Sequence, residues 1–219
     1  MWCIGRLTED YRRRMYGLLD LYARPYQKRE PVVCLDEKSK QLLKDPRPPL
    51  PLKPGAPAKL DYEYQRAGTC NLFVAVEPKG GRRIVDVTAR RTKVDFVHFV
   101  GRLLTAVYAR ARTVHVVLDN LNTHVRSSFE EVLGPQAATA LLRRIKFHYT
   151  PIHASWLNMA ELEIGILERQ CLGRRLQDQA TITREVAAWQ QRRNAAHCGI
   201  AWSFTRQDAD RKLGRHYVL

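Results

Sequence analysis

The chain has 219 residues, 37 Lys and Arg against 22 Asp and Glu, and a formal charge of +15 with a pI near 10.0. With 45% hydrophobic residues it has the means to bury one sizeable core, which excludes disorder as an account of the whole. The longest uninterrupted apolar run, Leu72 to Val76, has five residues where a membrane-spanning helix needs about 20, so no transmembrane helix and no membrane partner are expected. Charge at Arg6, Glu9 and Asp10 also breaks any secretory h-region, and a cytosolic protein is expected. The five cysteines (Cys3, Cys34, Cys70, Cys171, Cys198) stand far apart with no Cys-x-x-Cys pair; neither a disulfide framework nor a zinc site is supported. The basic excess points to a polyanion, because Lys and Arg release counterions from phosphates on binding. Basicity that serves solubility alone is the alternative.

In chain order, Leu7, Tyr11, Met15, Leu18, Leu19 and Tyr22 recur at helical spacing, with Thr8 as N-cap and Pro25 as stop. Residues 1–30 read as a helix and linker before a domain spanning 31–219. Val32 to Asp36 is a short apolar run ending in a carboxylate, as a buried strand does. Asp45 to Ala58 carries six prolines and Gly55 and must be a loop. Cys70 to Val76 and Arg82 to Thr88 read as a hairpin about the Glu77-Pro-Lys-Gly-Gly81 turn. Lys93 to Ala111 is an amphipathic helix, Thr113 to Leu118 a fourth strand, Arg126 to Arg144 helical, and Ile145 to Tyr149 a fifth strand. Helix resumes near Trp156 and again over Ile182 to Ala196. Three meandering strands followed by two crossovers predict an α/β fold with a mixed five-stranded sheet flanked by helices.

Two strands end in aspartate, Val-Cys-Leu-Asp36 and Val-Val-Leu-Asp119. A carboxylate at a strand end is held by the sheet yet reaches a crevice, a placement suited to a metal ion. For either alone, a turn former or helix cap is the commoner explanation. A helix through Ser155 to Glu163 would bring Glu161 toward both.

Five segments, CLDEK (34–38), LPLKPG (50–55), RAGTCNLFVAV (66–76), VVLDNLNTH (116–124) and FHYTPIHASWLNMAELEI (147–164), together resemble the catalytic domain of DDE transposases. The similarity is to the bacterial insertion-sequence branch related to the mariner superfamily. It implies a ribonuclease H-like fold and a catalytic triad at Asp36, Asp119 and Glu161. Glu161 takes the third place because it stands three residues after the Asn of Trp-Leu-Asn. Glu163 is the nearby rival; about 200° of helical rotation separates the two, so both cannot face the same ions. The 41 residues between Asp119 and Glu161 exceed the spacing of typical relatives, and a longer surface connection at 134–140 would absorb the surplus.

Three hard carboxylates suit two Mg²⁺ or Mn²⁺ ions, which activate water and then a DNA 3′-OH: hydrolysis at transposon ends followed by strand transfer. The resemblance further implies that Asn120 and His124 orient Asp119 or the scissile phosphate, with Asn158 close to the triad as a helix cap or a phosphate contact. An Asn turn and a capping histidine are the plainer readings of the first two. Lys38, Lys53, Arg90, Arg91 and Lys93 are candidate DNA contacts, each equally well a solvated charge. Trp156 is expected to pack its helix on the sheet, and the remaining histidines show no ligand-like pairing.

Mariner-type enzymes place two helix-turn-helix modules before this domain, and such modules need on the order of 100 residues. About thirty precede it here, so a fragment, a truncated copy and one part of a split element all remain open. The resemblance implies transposon-end and target DNA as partners, insertion at TA dinucleotides, a homodimer during synapsis, and association with the nucleoid. Two other functions fit the same residues: a catalytically silent DNA-binding remnant, and a structure-selective nuclease of ribonuclease H type.

Overall fold

A computed structural model describes residues 6–48, 50–57, 61–119 and 126–217. One sheet has the order β3-β2-β1-β4-β5, built from β1 (Val32–Lys44), β2 (Gln65–Glu77), β3 (Arg82–Thr88), β4 (Val114–Leu118) and β5 (Ile145–Tyr149). The first three pair antiparallel, while β1 with β4 and β4 with β5 are parallel. This is the mixed five-stranded sheet flanked by helices that the strand and helix pattern predicts. Its topology follows from connection length: the β2–β3 turn is tight, whereas β4 and β5 are each reached through a helical crossover.

Central position explains β4. It lies between β1 and β5, helices cover both faces, and every residue of Val-His-Val-Val-Leu is buried. On one face Val33, Leu35, Phe73, Ala75, Val116 and Leu118 pack against α2 (Lys93–Arg102), α3 (Arg126–Leu133) and α4 (Pro135–Leu142). The other face carries two apolar clusters. Cys34, Val76 and Val117 meet α1 (Glu9–Ala23) through Met15, Leu18 and Leu19, together with Leu157, Met159 and Ala209. Leu42, Cys70, Leu72 and Val74 meet α5 (Met159–Leu167) and α6 (Gln179–Ala195) through Leu167, Ile182, Val186 and Trp189. At about 1.5–3 kcal/mol for each large side chain taken from water, these clusters hold the layers together.

Helix α1 begins at Thr8, whose hydroxyl accepts from Tyr11 N at 3.2 Å. Its apolar stripe belongs to the core of the sheet rather than to a free linker. Strand β1 runs eight residues past Asp36, to Lys44, because Glu37 to Lys44 pairs with β2 in a long hairpin. The helix expected to reach Ala111 ends at Arg102 and continues as a π-helical turn, Leu103–Val107. Gly134-Pro135 splits the next helical stretch, since proline starts α4 at its first turn. Residues 135–142 are therefore helix rather than a surface loop, with Ala138 and Leu142 buried. Among the described residues a further helix, α7 (Arg206–Leu213), follows α6. Among the described residues no helix is long and apolar enough to cross a membrane.

Candidate active site

The parallel register of β1 and β4 sets Cys34 beside Val117. Side chains alternate along a strand, so two residues further on Asp36 and Asp119 occupy the same face of neighbouring strands. Asp36 still lies within β1, opposite Val74 of β2, whereas Asp119 is the first residue beyond β4. Both are half-buried. Asp36 Oδ1 accepts from Glu37 N at 2.7 Å. Its carboxyl is nevertheless pushed up to about 6, first by burial and then by the facing carboxylates of Asp119 and Glu161, with the Glu37 N–H opposing the rise. Asp36 thus senses both other acids of the expected triad.

Glu161 sits in the first turn of α5 and is exposed. The helix is fixed by Asn158, which is only 1% exposed. Its Oδ1 caps the helix by accepting from Ala160 N at 3.1 Å, and its Nδ2 donates to Leu35 O at 2.9 Å. One amide therefore couples the start of α5 to the residue before Asp36. Glu163 points elsewhere and is fully buried. Arg83 Nη2 donates to its Oε2 at 2.9 Å, Arg83 Nε stands 2.9 Å from Oε1, and Arg193 Nε donates to Oε1 at 3.0 Å. Both Glu163 oxygens are committed to guanidinium groups from β3 and α6.

The Asp36, Asp119 and Glu161 donors are all hard oxygens, the chemistry of a Mg²⁺ or Mn²⁺ site rather than of zinc or copper. Among the described residues no three acidic, imidazole or thiol groups come together closely enough to ligate one ion. A divalent cation would offset the like charge that Asp119 and Glu161 present to Asp36.

A family model described as DDE superfamily endonuclease matches residues 31–183, about seven-tenths of the chain and all five strands. The chain belongs to the DDE superfamily endonucleases. Solved structures similar to it include the mariner Mos1 paired-end complex with Mg, at 14% identity and a TM-score of 0.48, covering 100% of this chain and 66% of that one. The Mos1 paired-end complex with the left transposon end matches at 16% identity and a TM-score of 0.37, covering 92% and 66%. The complex with Mn matches at 16% and 0.37, covering 93% and 68%. This chain thus spans about two thirds of the length of the solved chains it matches. No curated protein sequence matches it.

Around the acids of this DDE endonuclease, Lys38 and Lys40 follow Asp36 on the same face of β1. Lys40 Nζ donates to Glu168 Oε1 at 3.1 Å, and Lys38 Nζ lies 3.9 Å from Oε2. Glu168, in the π-helical turn Glu168–Leu172 after α5, is an acid that sequence reasoning missed; its spacing of seven from Glu161, two helical turns, was the available signal. Arg91 and Lys93 lie toward the opposite layer, where Arg91 Nη1 is 3.8 Å from Glu37 Oε2 and Lys93 pairs with Glu131 of α3. Arg90 is exposed in the loop before α2, and Lys53 is exposed in a turn where Lys53 and Ala56 exchange backbone hydrogen bonds of 3.1 and 2.9 Å. Asn120 and His124 fall outside the described residues.

Trp156 is not a core residue. It is 40% exposed, stacked on Trp202 at 6.3 Å between ring centroids and edge-on to Phe204 at 5.4 Å. The buried residue of that turn is Leu157, whose carbonyl accepts from the Tyr22 hydroxyl at 2.6 Å. Two histidines do pair: His115 Nδ1 and His148 Nε2 are 2.9 Å apart across β4 and β5. Burial, then the neighbouring His115, lowers His148 to about 4.

Proposed function

We propose that this DDE endonuclease is the catalytic domain of a transposase, with 31–219 as the catalytic unit, which cleaves DNA phosphodiesters at the ends of a mobile element and joins the freed 3′-OH to target DNA. The observation that supports the reading is the register of β1 and β4, which pairs Cys34 with Val117 two residues before Asp36 and Asp119, together with the Asn158 bridge that ties the helix of Glu161 to Leu35. Asp36, Asp119 and Glu161 would hold two Mg²⁺ or Mn²⁺ ions. When bound, such ions activate the attacking oxygen and stabilise the leaving 3′ oxygen. The chain's own groups do the rest. Burial of Asp36 limits competition from water, Asn158 fixes the approach of α5, and Lys38 offers a cation next to the entering phosphate. Asn120 and His124 orient Asp119 in the same proposal, and Lys53, Arg90, Arg91 and Lys93 contact DNA farther out. The +15 charge supports DNA as partner, and the two ends are processed by a pair of chains.

Supercoiled plasmid and preformed element-end duplexes, incubated with Mg²⁺ or Mn²⁺, test this. Metal-dependent cutting and joining are expected, and Asp119→Asn should abolish both while duplex binding persists. A variant that still cuts overturns the residue assignment. Wild-type protein that binds but never cuts is the silent remnant, and cutting of junctions or hybrids without joining is the structure-selective nuclease.

A further inference from the structure

At the end of β4 opposite Asp119 lies a cleft of about 680 Å³. Its walls come from three separate segments: Tyr26, Lys28 and Arg29 on the approach to β1, Arg82 at the β2–β3 turn, and Arg110 beyond the π-helical turn that extends α2. All four cations are exposed, and none makes an ion pair among the described residues. Their neighbours differ: Arg24 and Arg112 both grip Glu30. One acid lines the cleft. Glu77 is 5% exposed and already accepts from the Tyr108 hydroxyl at 3.2 Å.

Four uncompensated cations around one concavity repel one another and lower the free energy of any anion placed among them. A small anion would require buried donors converging on a point, whereas the cations here are exposed, arise from three segments, and the buried polar group is itself a carboxylate. An extended chain of phosphates fits better: successive phosphates meet successive cations, and the half-exposed Tyr26 ring presents a face for a sugar or base. Position separates the cleft from the carboxylates. From Ala111 at its rim to Asp119 the chain runs eight residues through β4, about 26 Å of extended backbone. A strand seated at Asp36 does not fill it.

We propose that this cleft is a second DNA subsite, which holds the sugar-phosphate backbone of a duplex segment other than the one presented to Asp36, Asp119 and Glu161. The inference rests on the reading of the chain as a DNA-processing enzyme.

The test is the salt dependence of duplex binding by the intact chain, measured by fluorescence anisotropy on a random duplex long enough to reach both sites. Each phosphate neutralised contributes a slope of about −0.9 in log K against log salt. The triple variant Lys28→Gln, Arg29→Gln, Arg110→Gln should flatten that slope by about two to three. The affinity lost between 50 and 200 mM salt then shrinks by about 40-fold relative to wild type. Arg110→Gln alone should flatten it by about 0.9, which guards against a folding defect in the triple variant. A control of equal charge loss, Arg174→Gln, Arg206→Gln, Arg211→Gln, removes cations already paired with acids and should leave the slope unchanged. Wild-type slope in the triple variant, as when the cleft meets an acidic protein face instead, overturns the second subsite. Metal-dependent cutting in that case still stands. Wild-type protein that binds no duplex overturns both readings.

Discussion

Replacing Asn158 tests how the candidate site is held together. Alanine removes the side-chain acceptor for Ala160 N and the donor to Leu35 O at once. Loss of an N-cap costs about 1 kcal/mol, with a range of roughly 0.5–2. A carbonyl left unsatisfied in a site as buried as that of Asn158, which is 1% exposed, costs a further 1–3 kcal/mol or about that. Asn158→Ala should therefore destabilise the fold by about 2–4 kcal/mol, which for a chain of this size lowers the melting temperature by roughly 5–15 °C. Serine divides the two contributions. It keeps a capping oxygen but cannot reach Leu35, so Asn158→Ser should fall midway by calorimetry or urea titration. In the cleavage assay both variants should lose activity even at temperatures where they remain folded, because α5 is no longer registered against Asp36. A melting temperature for Asn158→Ala within about 1 °C of wild type, well below the shift expected from the cap alone, would refute the bridge as a structural element.

Glu161 and Glu163 should separate function from stability. Glu163→Gln leaves Arg83, which is 1% exposed, facing an uncharged partner and should cost about 3–5 kcal/mol, whereas Glu161→Gln, on an exposed position, should melt like wild type and lose metal-dependent cleavage. The opposite pattern would transfer the catalytic role to Glu163. Asp36→Asn should stabilise the metal-free protein above pH 6: a folded pKa raised from 3.8 to about 6 gives stability that is present below about pH 4 and lost as pH rises through 6. The loss is about 3 kcal/mol as an upper bound, taken at about 1.4 kcal/mol per tenfold change in proton affinity. Thermal melts of wild type and Asp36→Asn from pH 4 to 8 in chelator check this, and a difference that does not grow with pH excludes the crowding of acids around Asp36.

Much of the fold was legible because hydrophobic period and strand order coincide. Val32-Val33-Cys34-Leu35 and Val116-Val117-Leu118 announce buried strands followed by carboxylates, and the register of those strands then puts the two acids on the same face. The second half of β1 was not legible. Glu37 to Gln41 lacks any apolar residue to mark a buried strand, and what makes the segment to Lys44 a strand is hairpin pairing with β2, a tertiary effect. Helix α7 carries only Ala209 as a fully buried residue, so its period is too weak to read; its capping box, Thr205 with Asp208, was the local signal. The partners of Glu163 lie 80 and 30 residues away, and the histidine pair joins strands 33 residues apart. No local pattern encodes such meetings. Trp156 misled because an aromatic beside Leu157 suggests a core residue, while the helical rotation between them turns one ring outward.

The docking of α1 also has a consequence in time. Its stripe, Met15, Leu18 and Leu19, rests on Cys34, Val76 and Val117 and, from the far end of the chain, Ala209, and the backbone of Leu7 closes the layer by donating to His216 O at 2.7 Å. Helix α1 thus meets Ala209 and His216 only after some 190 further residues have been made, about 10–40 s at ribosomal speeds. During that interval an amphipathic helix is without its complete apolar partner. Nascent chains stalled before α7 should therefore be the ones that recruit chaperones or aggregate, and order in α1 should be a late event in refolding rather than a nucleus.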